Sequence, residues 1–291
     1  MTHARNDARD ACWHGTKRVA INGWMESVWM SPRLLLQELT REEARAIASE
    51  AIAVLPVGAT EQHGPHLPVG TDAFGVEYVA REAAKAVAGR IPIVVTPTLP
   101  FGSSHHHLPF GGTMSLSTET YYRVVSELAG SLIAGGFRRI FILNGHGGNS
   151  ELIQLVARDL ALTHQAHLAA ASYWTVAWDA LVALDAHQGG RLPGHAGAFE
   201  TSLILALRPE LVPSPLPHRE GAASPTPKPA PAYRLERHGF WQEIGGFTDS
   251  PDRASAERGR AYLGAIVAEI GKALIEFYTA TGGVPREDHL D

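Results

Sequence analysis

Three short stretches of this chain gather side chains that bind metals and move protons. Residues 57–72 read Val-Gly-Ala-Thr-Glu-Gln-His-Gly-Pro-His-Leu-Pro-Val-Gly-Thr-Asp. Glu61 and His63 are two apart, so an extended loop projects both to the same side. Asp72 follows nine residues after His63, where a helix is expected to begin. Gly58, Gly64 and Gly70, with Pro65 and Pro68, shape the loop tightly. The plain alternative is a helix-capping Asp72 with idle loop histidines. Three ligand types converging in one sculpted loop favour a metal, and imidazole with carboxylate suits Zn or Mn.

The second stretch is Asn144-Gly-His-Gly-Gly-Asn149, a glycine-rich turn. Such a turn can cradle a phosphate on a helix N-terminus. It lacks the spacing of a dinucleotide fingerprint or a P-loop, and its central His146 is more natural for a metal. The third is Gly194-His-Ala-Gly-Ala-Phe-Glu-Thr-Ser202, where His195 precedes Glu200 by five. By itself that glutamate could simply complement a helix dipole.

These stretches need elements to hold them. Thr40 with Glu43 reads as a capping box opening a helix through about residue 50. Apolar runs over 51–57, 93–96, 140–143 and 167–173 read as buried strands. Helices are expected over 73–87, from Ser117 to the Gly135-Gly136 pair, from about 151, over 198–207 and over 255–278. Strand–helix alternation of this kind predicts a parallel sheet with helices on both faces. In such folds ligands collect at the carboxyl ends of the strands. The loops holding Glu61, His63 and Asp72, then His105, His106 and His107, then His146, should therefore open on one edge.

Composition narrows the function. The chain has 291 residues, 45% hydrophobic and 19% charged, which supports a sizeable core. One domain is expected over 31–291, after a leader and interface segment at 1–30. Residues 209–231 hold eight prolines and read as a wrapping arm. A net charge of -5 without a basic cluster argues against nucleic acid. No apolar run approaches the ~20 residues of a membrane span. Cys12 is the only cysteine, so no internal disulfide can form and a reducing, cytoplasmic setting is expected.

Together the motifs resemble the creatininase (creatinine amidohydrolase) family. They are Glu61-x-His63, Asp72 eleven residues after Glu61, Gly102-x-Ser-x-x-His107-x-x-Phe-x-Gly-Thr113, Asn-Gly-His146-Gly-Gly-Asn, and His195-x-Gly-x-x-Glu200-Thr-Ser. The resemblance covers about 38–209 and extends weakly into the C-terminal helix. It implies a three-layer α/β/α fold with a mainly parallel sheet, two divalent ions per chain (Zn, Mn or both), amide C–N hydrolysis of a small molecule, and a homohexamer. By position, Glu61 and His146 would hold one ion, His63 the other, and Asp72 would bridge. Creatininase itself carries a tyrosine and a glutamate where this chain has Gly147 and Gly148. The glutamate binds the second metal, so Glu200 is expected to replace it. Arg191 stands near a tryptophan position of creatininase. These departures argue against creatinine as substrate. A peptidase of the mycofactocin-maturation type, or a non-catalytic binding protein on the same scaffold, are the alternatives.

Amide hydrolysis also needs a proton carried to the leaving nitrogen, a task suited to histidine near pH 7. His195 is the expected shuttle. Ser104, His107 and Trp174 are expected to touch substrate. Trp24, Met25, Trp29 and the proline-rich arm are expected interface material.

Overall fold

The structure, a computed structural model, describes residues 33–188, 190–219 and 236–286. The leader with Trp24, Met25 and Trp29, and the arm beyond Arg219, lie outside the described residues.

Among the described residues four strands form one sheet: β1 (Ile52–Val57), β2 (Ile93–Val95), β3 (Arg139–Asn144) and β4 (His167–Ser172). Their order is β2-β1-β3-β4 and every pairing is parallel. All residues of β1 and β3 are buried, which is why β1 and the 140–143 centre of β3 read as apolar runs. The chain moves from β1 outward to β2, then returns to β3 on the other side of β1. The sheet therefore changes direction between β1 and β3, and their carboxyl ends diverge into a crevice. The register places Val57 opposite Asn144, so the loops carrying Glu61 and His146 leave the sheet side by side.

Helices cover both faces. On one lie α2 (Thr71–Val87), α7 (Ala198–Leu207) and α9 (Ala256–Ala280), packing Val76, Val79, Phe199, Tyr262 and Ile266 against Ile52 and Val54. On the other lie α3 (Thr118–Ala134) and α4 (Ser150–Thr163), packing Tyr121, Val125, Ile153 and Val156 against Ile140 and Ile142. This is the expected three-layer α/β/α arrangement. The capping box of Thr40 and Glu43 opens α1 (Arg41–Ile47), and the Ser117 hydroxyl accepts from Thr120 N to cap α3. Among the described residues no helix is long and apolar enough to cross a membrane.

Two local expectations change. Helix α2 begins at Thr71 with Gly70 as its cap, so Asp72 sits inside the first turn and caps nothing. Its carboxylate is thereby free to face the loop. Trp174 and Trp178, whose four-residue spacing predicts one shared helix, lie instead on two, α5 (Tyr173–Val176) and α6 (Trp178–Ala183), separated at Ala177.

Candidate metal centre

The β1 loop turns Glu61 and His63 inward together, as their spacing requires, and both are buried. His63 Nδ1 lies 3.1 Å from the Glu61 carbonyl oxygen. That oxygen only accepts, so Nδ1 carries the hydrogen and Nε2 turns its lone pair outward. Nε2 then faces Asp72 Oδ1 at 3.1 Å and Glu200 Oε2 at 3.8 Å.

His146, on the turn after β3, repeats the device in mirror form. Its Nε2 lies 3.3 Å from the Ser103 carbonyl oxygen and 3.2 Å from Ser104 Oγ. Its Nδ1 faces Asp72 Oδ2 at 3.1 Å and Glu61 Oε1 at 3.3 Å. Asn144 shapes the turn: its side-chain oxygen accepts from His146 N and its amide donates to His146 O. Asn149 joins three loops by donating to Gly58 O and accepting from Ser103 N.

A lone pair turned on a carboxylate at 3.1 Å is repulsive unless a proton or a cation lies between. The electrostatics say the same. Burial opposes charge on His63, but Asp72, Glu200 and Glu61 outweigh it and raise the ring to about 10. Burial likewise opposes charge on His146, and Glu61 and Asp72 hold it well above the usual imidazole range. Burial works to raise Glu61, yet His146, His107 and His195 hold it well below the usual carboxylate range. Both Glu61 carboxylate oxygens and Asp72 Oδ2 are buried with no partner in hydrogen-bond geometry. Buried, charged and unpaired acceptors among imidazole lone pairs are what a divalent cation satisfies. The donor set therefore fits a metal.

The donors fall into overlapping groups. Glu61, Asp72 and His146 have donor atoms within 4.8 Å of one another, and so do His63, Asp72 and Glu200. Asp72 belongs to both. Glu200 reaches the cluster from the first turn of α7, where Oε2 also accepts from Ala196 N. Burial raises its carboxyl to about 8 against the pull of His63.

His195 arrives on the loop before α7. Its Nε2 lies 2.9 Å from the Gln62 carbonyl oxygen, so Nε2 holds the hydrogen and Nδ1 points its lone pair toward Glu61 Oε1, 3.7 Å away. Burial, with His63 adding to it, lowers His195 to about 3, so the ring rests neutral. The loop is tied down from a distant segment. His195 N donates to Thr248 Oγ1 at 2.9 Å, and Asp249 accepts from Arg191 N and Ala198 N at 3.0 and 2.9 Å. Glycine is needed at 197, because a Cβ there would lie 1.8 Å from Asp249 Oδ1.

The three residues read as substrate contacts occupy supporting positions. Ser104 is fully buried behind His146. His107 is 1% exposed, with Nδ1 2.8 Å from the Gln62 amide. Trp174 belongs to the core beside α2 and meets Tyr173 edge-on. The aromatic ring that does meet the imidazoles is Trp241, on the short α8 (Phe240–Glu243), with centroids 4.6 Å from His107 and 5.2 Å from His195. Sequence reading missed Trp241, Gln62, Thr248 and Asp249. Only the Gly-Gly-Phe-Thr-Asp-Ser run at 245–250 hinted at a shaped turn there.

The glycine pair after His146 is also explained. A Cβ on Gly148 would lie 2.3 Å from Ser103 O and 2.5 Å from His146 Nε2, whereas one on Gly147 meets nothing within 4 Å among the described residues. The 103–106 loop thus closes over the place where a side chain at 148 would stand. Gly148→Ala is expected to cost about 1–3 kcal/mol, as overpacking does, with Gly147→Ala near neutral. Paired thermal denaturation curves check this, and equal midpoints for the two variants would refute the packing argument.

Comparison with known proteins finds the same family repeatedly. The family model for creatininase, described as creatinine amidohydrolase, matches residues 37–274. Creatinine amidohydrolase of Pseudomonas putida is 32% identical over 280 residues, covering 87% of this chain and 100% of that protein. Mycofactocin precursor peptide peptidase of Mycobacterium tuberculosis is 34% identical over 220 residues, covering 74% of this chain and 80% of that protein. A crystal structure of creatinine amidohydrolase superposes with a TM-score of 0.70 at 30% identity, over 84% of this chain and 98% of that one. Related creatininase structures include a Zn–Zn type at 31% identity and a Mn form at 30%, each with a TM-score of 0.68 over 84% of this chain and 98% of that one.

Proposed function

Because the chain belongs to the creatininase family, we propose that it is a metal-dependent hydrolase of an amide C–N bond in a small molecule such as a cyclic amide or formamide. The observation that carries this reading is the inward pairing of imidazole lone pairs with unpaired buried carboxylate oxygens around Asp72. Glu61 and His146 would hold one divalent ion, His63 and Glu200 a second, and Asp72 both. Zn and Mn both suit such ligands, and both occur in the related creatininase structures. When bound, paired divalent ions polarise a carbonyl and bring the pKa of water toward ~7.

The chain's own residues supply the rest. His195 rests neutral with Nδ1 bare, so it begins as an acceptor. It would take the proton from the attacking water and deliver it to the departing nitrogen. The Gln62 carbonyl fixes its tautomer, and Thr248 and Asp249 fix its loop. Trp241 stands over His195 and His107, where it would exclude water from the reacting groups.

Gly147 leaves open the space where creatininase would bring a substrate-contacting side chain, which favours something other than creatinine. The same opening would leave room for a longer acyl group, and the peptidase relatives make a peptide C–N bond the second reading. We also propose homohexamer assembly and a cytoplasmic location, as the family resemblance and the lone cysteine suggest.

The test is turnover by metal-loaded protein on a panel of cyclic amides, formamides and short peptides, with creatinine included. Turnover of an amide substrate is expected, with creatinine a poor substrate. Creatinine turned over as fast as the best compound would refute the substrate argument. No turnover on any C–N bond would count against the hydrolase reading itself.

A further inference from the structure

Gln62 lies between two expected ligands but points away from them, as alternation along an extended segment requires. Its buried side-chain amide is enclosed by groups of fixed polarity. Gly64 N donates to Gln62 Oε1 at 2.9 Å, and Gln62 Nε2 donates to Gly246 O at 2.9 Å. A backbone N–H only donates and a carbonyl only accepts, so these two contacts settle which end of the amide is oxygen. The amide nitrogen has two hydrogens, and one is committed to Gly246.

The other faces two ring nitrogens, His107 Nδ1 at 2.8 Å and His195 Nε2 at 3.0 Å. His195 Nε2 already carries a hydrogen, which it donates to the Gln62 carbonyl oxygen. It cannot accept a second. The remaining amide hydrogen therefore goes to His107 Nδ1, which must be the bare nitrogen. A neutral ring bare at Nδ1 carries its hydrogen on Nε2, and His107 Nε2 lies 3.4 Å from Glu61 Oε1.

We infer that Gln62 is a positioning residue: its amide holds His107 in the Nε2–H form, so that the positive end of an N–H dipole, and not a lone pair, faces the Glu61 carboxylate from 3.4 Å. The inference rests on the metal-centre reading only in taking Glu61 to hold a cation. His107 is thereby a support for Glu61 rather than a substrate contact. The stack of its ring on His195, with centroids 4.2 Å apart, keeps both rings in register with the amide that sets them.

Long-range proton–nitrogen NMR on protein labelled with ¹⁵N-histidine reads the tautomer directly. The His107 signals are assigned by their loss in His107→Phe. In the native chain, metal-free and zinc-loaded, His107 should show a protonated Nε2 and a bare Nδ1. In Gln62→Met the donor is gone, so the Nδ1 signal should move. Zinc affinity, measured by chelator competition, should fall roughly 10- to 100-fold, as when a ligand's supporting partner is removed. A purely structural Gln62 would lower the melting temperature and leave the His107 shifts and zinc affinity unchanged. A native His107 protonated on Nδ1 overturns the inference whatever the variant does. So does a Gln62→Met protein with native shifts and native zinc affinity. If no amide is hydrolysed while the His107 pattern and the zinc effect hold, the inference stands and the hydrolase reading alone fails.

Discussion

Glu200→Gln is expected to leave a folded protein with about one divalent ion per chain and turnover roughly 100- to 1,000-fold lower, since an ion's polarising effect is worth several kcal/mol. Without Glu200, the second group keeps only His63 and Asp72, and catalytic sites typically use three protein ligands. The substitution is gentle on the fold for a specific reason. Burial raises the Glu200 carboxyl to about 8, so near neutrality and without a cation the group is mostly protonated, a form that glutamine imitates. The metal-free variant should therefore melt no lower than the metal-free native chain. Glu200 also accepts from Ala196 N, as a residue that caps α7 would. A cap alone predicts the opposite pattern: two ions retained, most activity retained, and a small loss of stability. Elemental analysis and calorimetry on the same preparations separate the two.

Stripping divalent ions from the native chain should abolish turnover and destabilise the fold. A ligand present at a hundred times its dissociation constant stabilises by about 2.7 kcal/mol. For a domain of this size that is roughly 5–10 °C in melting temperature. Restoring Zn²⁺ or Mn²⁺ should recover both properties at two ions per chain. Binding should also expel protons, because His63 is raised to about 10 and His146 well above its ordinary range. Near pH 7 both rings and the Glu200 carboxyl hold a proton that a cation must displace, so about three protons should leave on full loading. Titration calorimetry in buffers of different ionisation enthalpy counts them. Full activity after exhaustive chelation, or binding with no proton release, would remove the basis for a metal centre at this cluster.

Much of the fold was legible because burial leaves a local trace. The β1 and β3 segments are buried on both faces, so β1 and residues 140–143 of β3 are apolar, and Thr40 and Ser117 mark the caps of α1 and α3. The Glu61–His63 pair was legible because alternation is a local rule. Asp72 was legible as a residue but misplaced by one turn boundary, since Gly70 rather than an acidic side chain begins α2.

The sequence by itself determined which donors exist, which strand ends they follow, and that the parallel sheet would bring those ends to one edge. It determined that Gly148 could not coordinate. Only the tertiary structure gives the physical reason that the donors meet. Glu200 joins His63 and Asp72 because α7 packs beside α2, a contact with no signature in either segment. Ser104 meets His146 and His107 meets Gln62 because the 103–107 loop folds down over Gly148 and Gln62. Trp241, Thr248 and Asp249 reach the site from the far end of the chain. Periodicity and spacing describe neighbours along the chain. Hydrogen bonds between Gln62 and Gly246, or His195 and Thr248, are set by the packing of whole elements, and the sequence near either partner does not record the other.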